Sequence, residues 1–199
     1  MQFYTVGQSR TILVVGLGNV GKQYEGTRHN IGFACVDTFA KLNGFDGWIE
    51  KKDLKCLFSS HTMGATRVLI VKPTTMMNLS GEAVQKVAAF YKVAPGDIVV
   101  VHDEIDIPFG QVRTRVGGGS AGHNGIKSVT QHMGEGYGRV RIGIGPKVPE
   151  QIDSANFVLA RFNDSEQAQL KNLTTEVNAI LNEYIYGGEL PHETRNVLV

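Results

Sequence analysis

Short apolar runs alternate along the chain with segments whose apolar positions recur at helical spacing. Thr11-Ile12-Leu13-Val14-Val15 is unbroken and β-branched and stops at Gly16, the signature of a strand buried on both faces. Ile31, Ala34, Cys35, Thr38, Phe39 and Leu42 predict an amphipathic helix over 31–42. Residues 55–60 and 66–71 read as strands that pair around Met63-Gly64. Val84, Val87, Ala88 and Tyr91 form one stripe over 81–91, and Pro95-Gly96 ends that helix. Residues 97–102 predict a second buried strand, closing in a polar loop from His102 to Pro108. Gln111–Val116 and Gly138–Gly145 look like further strands, with a helix over about 123–133 between them. A last helix starts at Asn163 or Asp164, where Glu166 and Gln167 suit a capping box, and Leu170, Leu173, Val177, Ile180, Leu181 and Tyr184 mark its apolar stripe. This alternation predicts an α/β fold: a twisted mixed, largely parallel sheet flanked by helices. No Pro- or Ser-rich linker and no repeat divides the chain, so one domain over 1–199 is expected, with residues 1–10 left unassigned.

Composition narrows the class. Hydrophobic residues make up 42% of the 199, enough for a substantial core. Two cysteines, Cys35 and Cys56, both on apolar faces, are too few for a disulfide scaffold and predict a reducing, cytoplasmic setting. No run of 18 apolar residues exists, and the first eight residues lack a charged region followed by an apolar one, so neither a membrane span nor a secretory leader is expected. Glycine is enriched, at 24 residues. The glycines cluster, five from Gly16 to Gly32 and eleven from Gly110 to Gly145.

In open α/β sheets, ligand sites gather in loops beyond the carboxyl ends of strands. Gly16-x-Gly18-x-x-Gly21 follows such a strand and matches the dinucleotide fingerprint in form. Its context does not fit a nucleotide-cofactor oxidoreductase: residues 22–30 are polar and broken by Gly26, and no strand ending in an acid follows about 20 residues on. His29 lies past this loop, between Arg28 and Asn30 and just ahead of a helix. A lone histidine is most simply a surface or hydrogen-bonded core residue, yet here it can present an imidazole to a cleft, and an imidazole suits a general base near neutral pH. Such a base needs a partner to fix its tautomer, and Asp103, nearest the end of the second buried strand, is the candidate ahead of Glu104 and Asp106. Zinc is the rival reading, with His102, Asp103 and His123 as donors, but no paired ligand spacing supports it. Ser120 lacks the G-x-S-x-G register of a nucleophile elbow. Asn19, Asn78 and Asn124 sit in three separate loops, where uncharged amides can hold a polar substrate or a developing oxyanion, or simply shape turns.

The net charge of +1, taken as a whole-chain sum, argues against a nucleic-acid partner. The sum hides a contrast. Residues 107–148 hold six basic side chains and one acid, whereas 149–199 hold three basic side chains and eight acids. Arg113 and Arg115 share a strand face by period two, as do Arg139 and Arg141. Glycine-rich backbone beside such a face can approach phosphates closely. A solvated strand face is the plain alternative.

Taken together, the motifs resemble a known family. Val15-Gly16-Leu17-Gly18-Asn19 with Tyr24…Thr27-Arg28-His29-Asn30-Ile31-Gly32 is similar to the opening of the bacterial-type peptidyl-tRNA hydrolases. The segments 72–81, 102–110, Gly117-Gly118-Gly119…Gly122-His123-Asn124-Gly125, 139–145 and Phe157-Val158-Leu159…Phe162 follow in family order, from about Ile12 to the final helix. The resemblance implies a monomeric esterase, without metal or cofactor, that cuts the ester between a peptide and the 3′ ribose of tRNA. It implies that His29 activates water and Asp103 holds it. Asn19 and Asn78 would position the peptide and ester, with Tyr24 and Met77 lining the cleft. Asn124, beside His123, would help bind the water and the terminal nucleotide. Arg113, Arg115, Arg139 and Arg141 would meet the tRNA acceptor arm, and Lys127 is a weaker member of that set. The segment 146–154 looks like a short loop with little basic charge. An RNA-binding relative without catalysis, like the plant intron-splicing proteins of this fold, is disfavoured by the intact set of His29, Asp103, Asn19 and Asn78.

Overall fold

The computed structural model describes residues 10–197. Residues 1–9, most of the unassigned N-terminal stretch, lie outside them. Eight strands form one sheet in the order β2-β3-β4-β1-β5-β7-β6-β8. They are β1 (Thr11–Gly16), β2 (Ile49–Lys51), β3 (Cys56–Met63), β4 (Thr66–Pro73), β5 (Ile98–Pro108), β6 (Gln111–Val116), β7 (Gly138–Gly145) and β8 (Thr194–Asn196). The helices are α1 (Ile31–Leu42), α2 (Ser80–Tyr91), α3 (Asn124–Met133), α4 (Ser154–Leu159) and α5 (Asp164–Gly187). None is long and apolar enough to cross a membrane.

The sheet is mixed, as predicted, but parallel pairing is confined to its centre. β1 runs parallel to β4 and β5, and β5 to β7. The flanking pairs β2–β3, β3–β4, β6–β7 and β6–β8 are antiparallel. The central strands carry continuous apolar runs because both faces are covered. Ile12 and Val14 pack with Phe39, Val177 and Leu181 on one face, while Leu13 and Val15 pack with Val84, Val87, Ile126 and Val129 on the other. Thus α1 and α5 cover one side and α2 and α3 the other.

Two features position the site. β1 lies between β4 and β5, so the chain leaves its carboxyl end at a point where the strand order switches direction, the usual place for a cleft in such sheets. The first turn of α1 also sits directly on the carboxyl end of β1 and on Val101 within β5. A Cβ on Gly32 would stand 2.5 Å from the carbonyl oxygens of both Leu17 and Val101, and one on Gly16 would stand 2.5 Å from the Gly32 oxygen. Only glycine permits this approach, which brings the 3-10 turn Arg28–Asn30 against β5.

Several boundaries differ from those expected. β5 continues through Pro108, so Asp103 lies within a strand rather than in a loop; its pairing with β7 shifts register between Glu104 and Pro108, which the acidic and proline residues had disguised as a turn. α2 ends at Tyr91 as expected, although the stop is Lys92, in a left-handed conformation (φ 58°), and not Pro95-Gly96. His123 caps α3 instead of starting it. Part of the expected 146–154 loop leads into α4, capped by Asp153, whose side chain accepts from the Asn156 N–H. The capping box at Asn163 and Glu166 is as predicted.

Candidate active site

A cleft of about 530 Å³ opens beyond the carboxyl end of β1, against the middle of β5. Asn19, Tyr24, His29, Met77, Asn78, Asp103, His123 and Asn124 all line it, so eight residues from four separate segments converge. Glu104, Ile105, Met76, Ala121, Gly122 and the α4 residues Ser154, Ala155, Val158 and Leu159 complete the wall. Of these, Glu104, Ile105 and the α4 face were not anticipated. The short α4 carries too few turns to show a period, although Asp153 three residues before Asn156 was a readable cap signal.

At the floor of the cleft Asp103 is 2% exposed and bonded on two sides. His29 Nδ1 lies 2.9 Å from both of its oxygens, and His123 Nε2 lies 2.9 Å from Oδ1. Protons can be assigned from the partners. His123 Nδ1 accepts the Gly125 and Ile126 N–H groups at 3.1 and 3.2 Å, capping α3. Its Nε2 therefore carries the proton and donates to Asp103. A carboxylate only accepts, so His29 Nδ1–H also donates, leaving the lone pair on Nε2, the opposite ring nitrogen. Burial alone would raise the Asp103 carboxyl. The N–H dipole and hydrogen bond of His123, then those of His29, outweigh it and hold the carboxyl well below the usual carboxylate range.

Beneath this set, His102 is fully buried and its Nδ1 donates to the Asp103 carbonyl oxygen at 2.7 Å. Burial pushes its pKa well below the ordinary histidine value, so it stays neutral. The donor atoms of His29, Asp103 and His123 fall within 4.8 Å of one another, close enough in principle for an ion. The separations of 2.9 Å are those of N–H···O bonds, and His123 Nδ1 is already committed to the helix cap, so the geometry is that of a hydrogen-bonded set. His102, a donor in the zinc reading, does not join it.

The asparagines differ in freedom. Asn19 Oδ1 accepts the Met77 N–H at 2.7 Å, which turns its amide NH₂ outward. Asn30, which sequence reasoning did not assign, holds the Asn19 backbone by two bonds: its Oδ1 accepts the Asn19 N–H at 2.8 Å and its Nδ2 donates to the Asn19 oxygen at 2.9 Å. Asn78 and Asn124 stand exposed at the rim. Glu104 is 5% exposed, and burial raises its carboxyl pKa.

The arginines separate. In the β6–β7 pairing Arg113 faces Arg141 and Arg115 faces Arg139, so all four lie on the sheet side covered by α3. Arg113, Arg115 and Arg141 are partly exposed. Arg139 is 1% exposed, a correction to its expected place on an open face. Its NH1 donates to the Gly119 oxygen at 2.7 Å and its guanidinium lies over the Tyr137 ring. The period-two face was right, but the loop 117–122 covers one end of it. Gly118, at φ 93°, sits on the Arg115 guanidinium, where a side chain would collide. This loop also carries Ala121 and Gly122 into the cleft wall, so basic face and cleft share a boundary. Burial first, and then the neighbouring Arg115 charge, lower the Arg141 pKa. Lys127 is exposed on α3.

The family model described as peptidyl-tRNA hydrolase matches residues 13–197. A peptidyl-tRNA hydrolase of Bradyrhizobium diazoefficiens is 50% identical over 141 residues, covering 70% of this chain and 69% of that protein. One from Sinorhizobium fredii is 46% identical over 163 residues, covering 81% of this chain and 66% of the relative. A crystal structure of peptidyl-tRNA hydrolase from Acinetobacter baumannii superposes with a TM-score of 0.83 at 32% identity, covering 92% of this chain and 93% of that one. The chain belongs to the peptidyl-tRNA hydrolase family.

Proposed function

We propose that this chain hydrolyses the ester joining a peptide to the 3′ ribose of tRNA, with His29 as the general base. The observation that carries the reading is the bonded pair of Asp103 and His29, which leaves one basic nitrogen for a water in the cleft. Nε2 of His29 takes a proton as the water attacks the ester carbonyl. Asp103 stabilises the imidazolium that forms. The amide NH₂ of Asn19, joined by Asn78 or Asn124 at the rim, donates to the oxyanion. As the tetrahedral intermediate collapses, His29 returns the proton to the 3′ oxygen of the leaving tRNA. Tyr24, Met77, Val158 and Leu159 take the apolar parts of the peptide. Arg113, Arg115 and Arg141 meet acceptor-arm phosphates, where crowded like charges are relieved by an anion. His123 acts through Asp103 and the α3 cap. All these groups come from one chain, so the chemistry needs no second copy.

The test is release of peptide from purified peptidyl-tRNA, with peptidyl-oligonucleotides of decreasing length beside it. Full-length tRNA is expected to give the highest kcat/KM. No ester cleavage on any of them, or cleavage only on adding a nicotinamide or flavin nucleotide, overturns the reading.

A further inference from the structure

Arg28, beside the base, and the two rings Phe157 and Phe162, over 120 residues later in the chain, belong to motifs that the family resemblance singles out, yet these three side chains have no role in the chemistry above. They meet. The Arg28 guanidinium lies 4.6 Å from the Phe157 ring centre and 5.3 Å from that of Phe162. Its NH1 donates to the Arg161 oxygen at 2.6 Å and its NH2 to Glu166 Oε2 at 2.6 Å. The same Glu166 oxygen accepts the Asn163 N–H at 2.8 Å, closing the capping box of α5. The backbone repeats the join, since Arg28 N–H donates to the Ala160 oxygen at 3.0 Å. Arg28 is 7% exposed and does not line the cleft. Its contacts run from the turn that carries His29 to α4, whose outer face, Val158 and Leu159, is a cleft wall, and on to the start of α5.

We infer that Arg28 is a positioning residue, locking the His29 turn and the α4 wall into one rigid unit so that a peptide seated on the wall presents its ester at His29. The inference rests on the reading of His29 as the base. A planar guanidinium is required because it bonds through its edge to a carbonyl and a carboxylate while its face covers two rings; an ammonium can do one or the other. Misplacement by about 1 Å of groups remote from the chemistry costs on the order of a hundredfold.

The test compares Arg28→Lys, Arg28→Ala and Phe157→Leu with the unaltered chain, reading kcat, KM, the pH profile of kcat and thermal stability. Arg28→Lys is expected to lower kcat by roughly ten- to a hundredfold below its melting temperature. The pH profile should keep its midpoint, because Asp103 and His29 remain paired. Methylguanidine at millimolar concentration should restore part of the kcat of Arg28→Ala at a temperature well below that variant's melting point, where a merely stabilising role predicts no kcat loss to restore. Phe157→Leu, which keeps an apolar wall, should lower kcat less and serves if the arginine variants fold poorly. A kcat within twofold of the unaltered chain for both Arg28→Lys and Phe157→Leu, with only the melting temperature reduced, overturns the inference. A His29→Ala variant with normal turnover would instead remove the reading on which it stands.

Discussion

At the scale of single residues, the site is a proton-placement device. His123 has one nitrogen fixed by two helix N–H groups, so it can offer Asp103 only a proton, and Asp103 is left as an acceptor for His29. Replacing Asp103 with Asn keeps the shape but makes an amide face Nδ1, favouring the wrong tautomer of His29. A loss of kcat of about 10³–10⁴-fold is expected, with KM little changed; steady-state kinetics checks it, and a loss under tenfold contradicts the orienting role. The pairing of His29 with Asp103 was legible in the sequence because each follows a buried run that ends in polar residues. The second bond, from His123, was not. Whether a histidine caps a helix or faces a substrate depends on one side-chain torsion, and nothing in the local sequence sets it. Arg139 failed for a related reason: alternation assigns the face of a strand but not whether a loop covers that face.

Among the elements, the approach of α1 to the end of β1 and to Val101 of β5 fixes where His29 stands. Gly32→Ala adds a methyl against two backbone carbonyls that cannot rotate away. We expect a stability loss of about 1–3 kcal/mol despite alanine's better helix propensity, seen as a lower urea midpoint. A fall in kcat should accompany it, because the His29 turn moves with α1. Unchanged stability would show that α1 docks less tightly than the geometry requires. The long elements were readable because each buries a stripe or an unbroken run. Those that escaped are short and polar. β2 is exposed at all three positions, β8 pairs only at the sheet edge, and α4 spans six residues, so none has room for a hydrophobic period.

For the whole molecule, two balances matter. The near-zero net charge concealed a basic face beside the cleft and an acidic final helix. Arg113→Glu with Arg115→Glu should raise KM for full-length peptidyl-tRNA at least tenfold and flatten its salt dependence, while a peptidyl-mononucleotide is affected less than twofold. Equal effects on both substrates would contradict the phosphate-facing assignment. The second balance concerns acid. His102 is neutral in the folded chain because burial lowers its pKa, whereas the unfolded chain takes up the proton near 6.5. The folded state is thus stabilised fully above that pH and loses the contribution as pH falls. His102→Asn, which keeps a donor for the Asp103 carbonyl, should therefore show a shallower decline of stability between pH 6.5 and 5, by up to about 1.4 kcal/mol per pH unit. Urea titrations across that range decide it, and parallel slopes would contradict a neutral buried His102. Asp103 works in the same direction at lower pH, since its depressed carboxyl stabilises the fold above the ordinary carboxylate range and ceases to as acid protonates it.

The central claim is that His29 makes the water nucleophilic without being needed to hold the tRNA. Single-turnover cleavage of peptidyl-tRNA by His29→Ala, measured beside its equilibrium binding of the same tRNA, tests this most directly. The account predicts a cleavage rate lower by at least about 10³-fold with binding within threefold of the unaltered chain. Cleavage within tenfold of the unaltered chain, at normal binding, would contradict it.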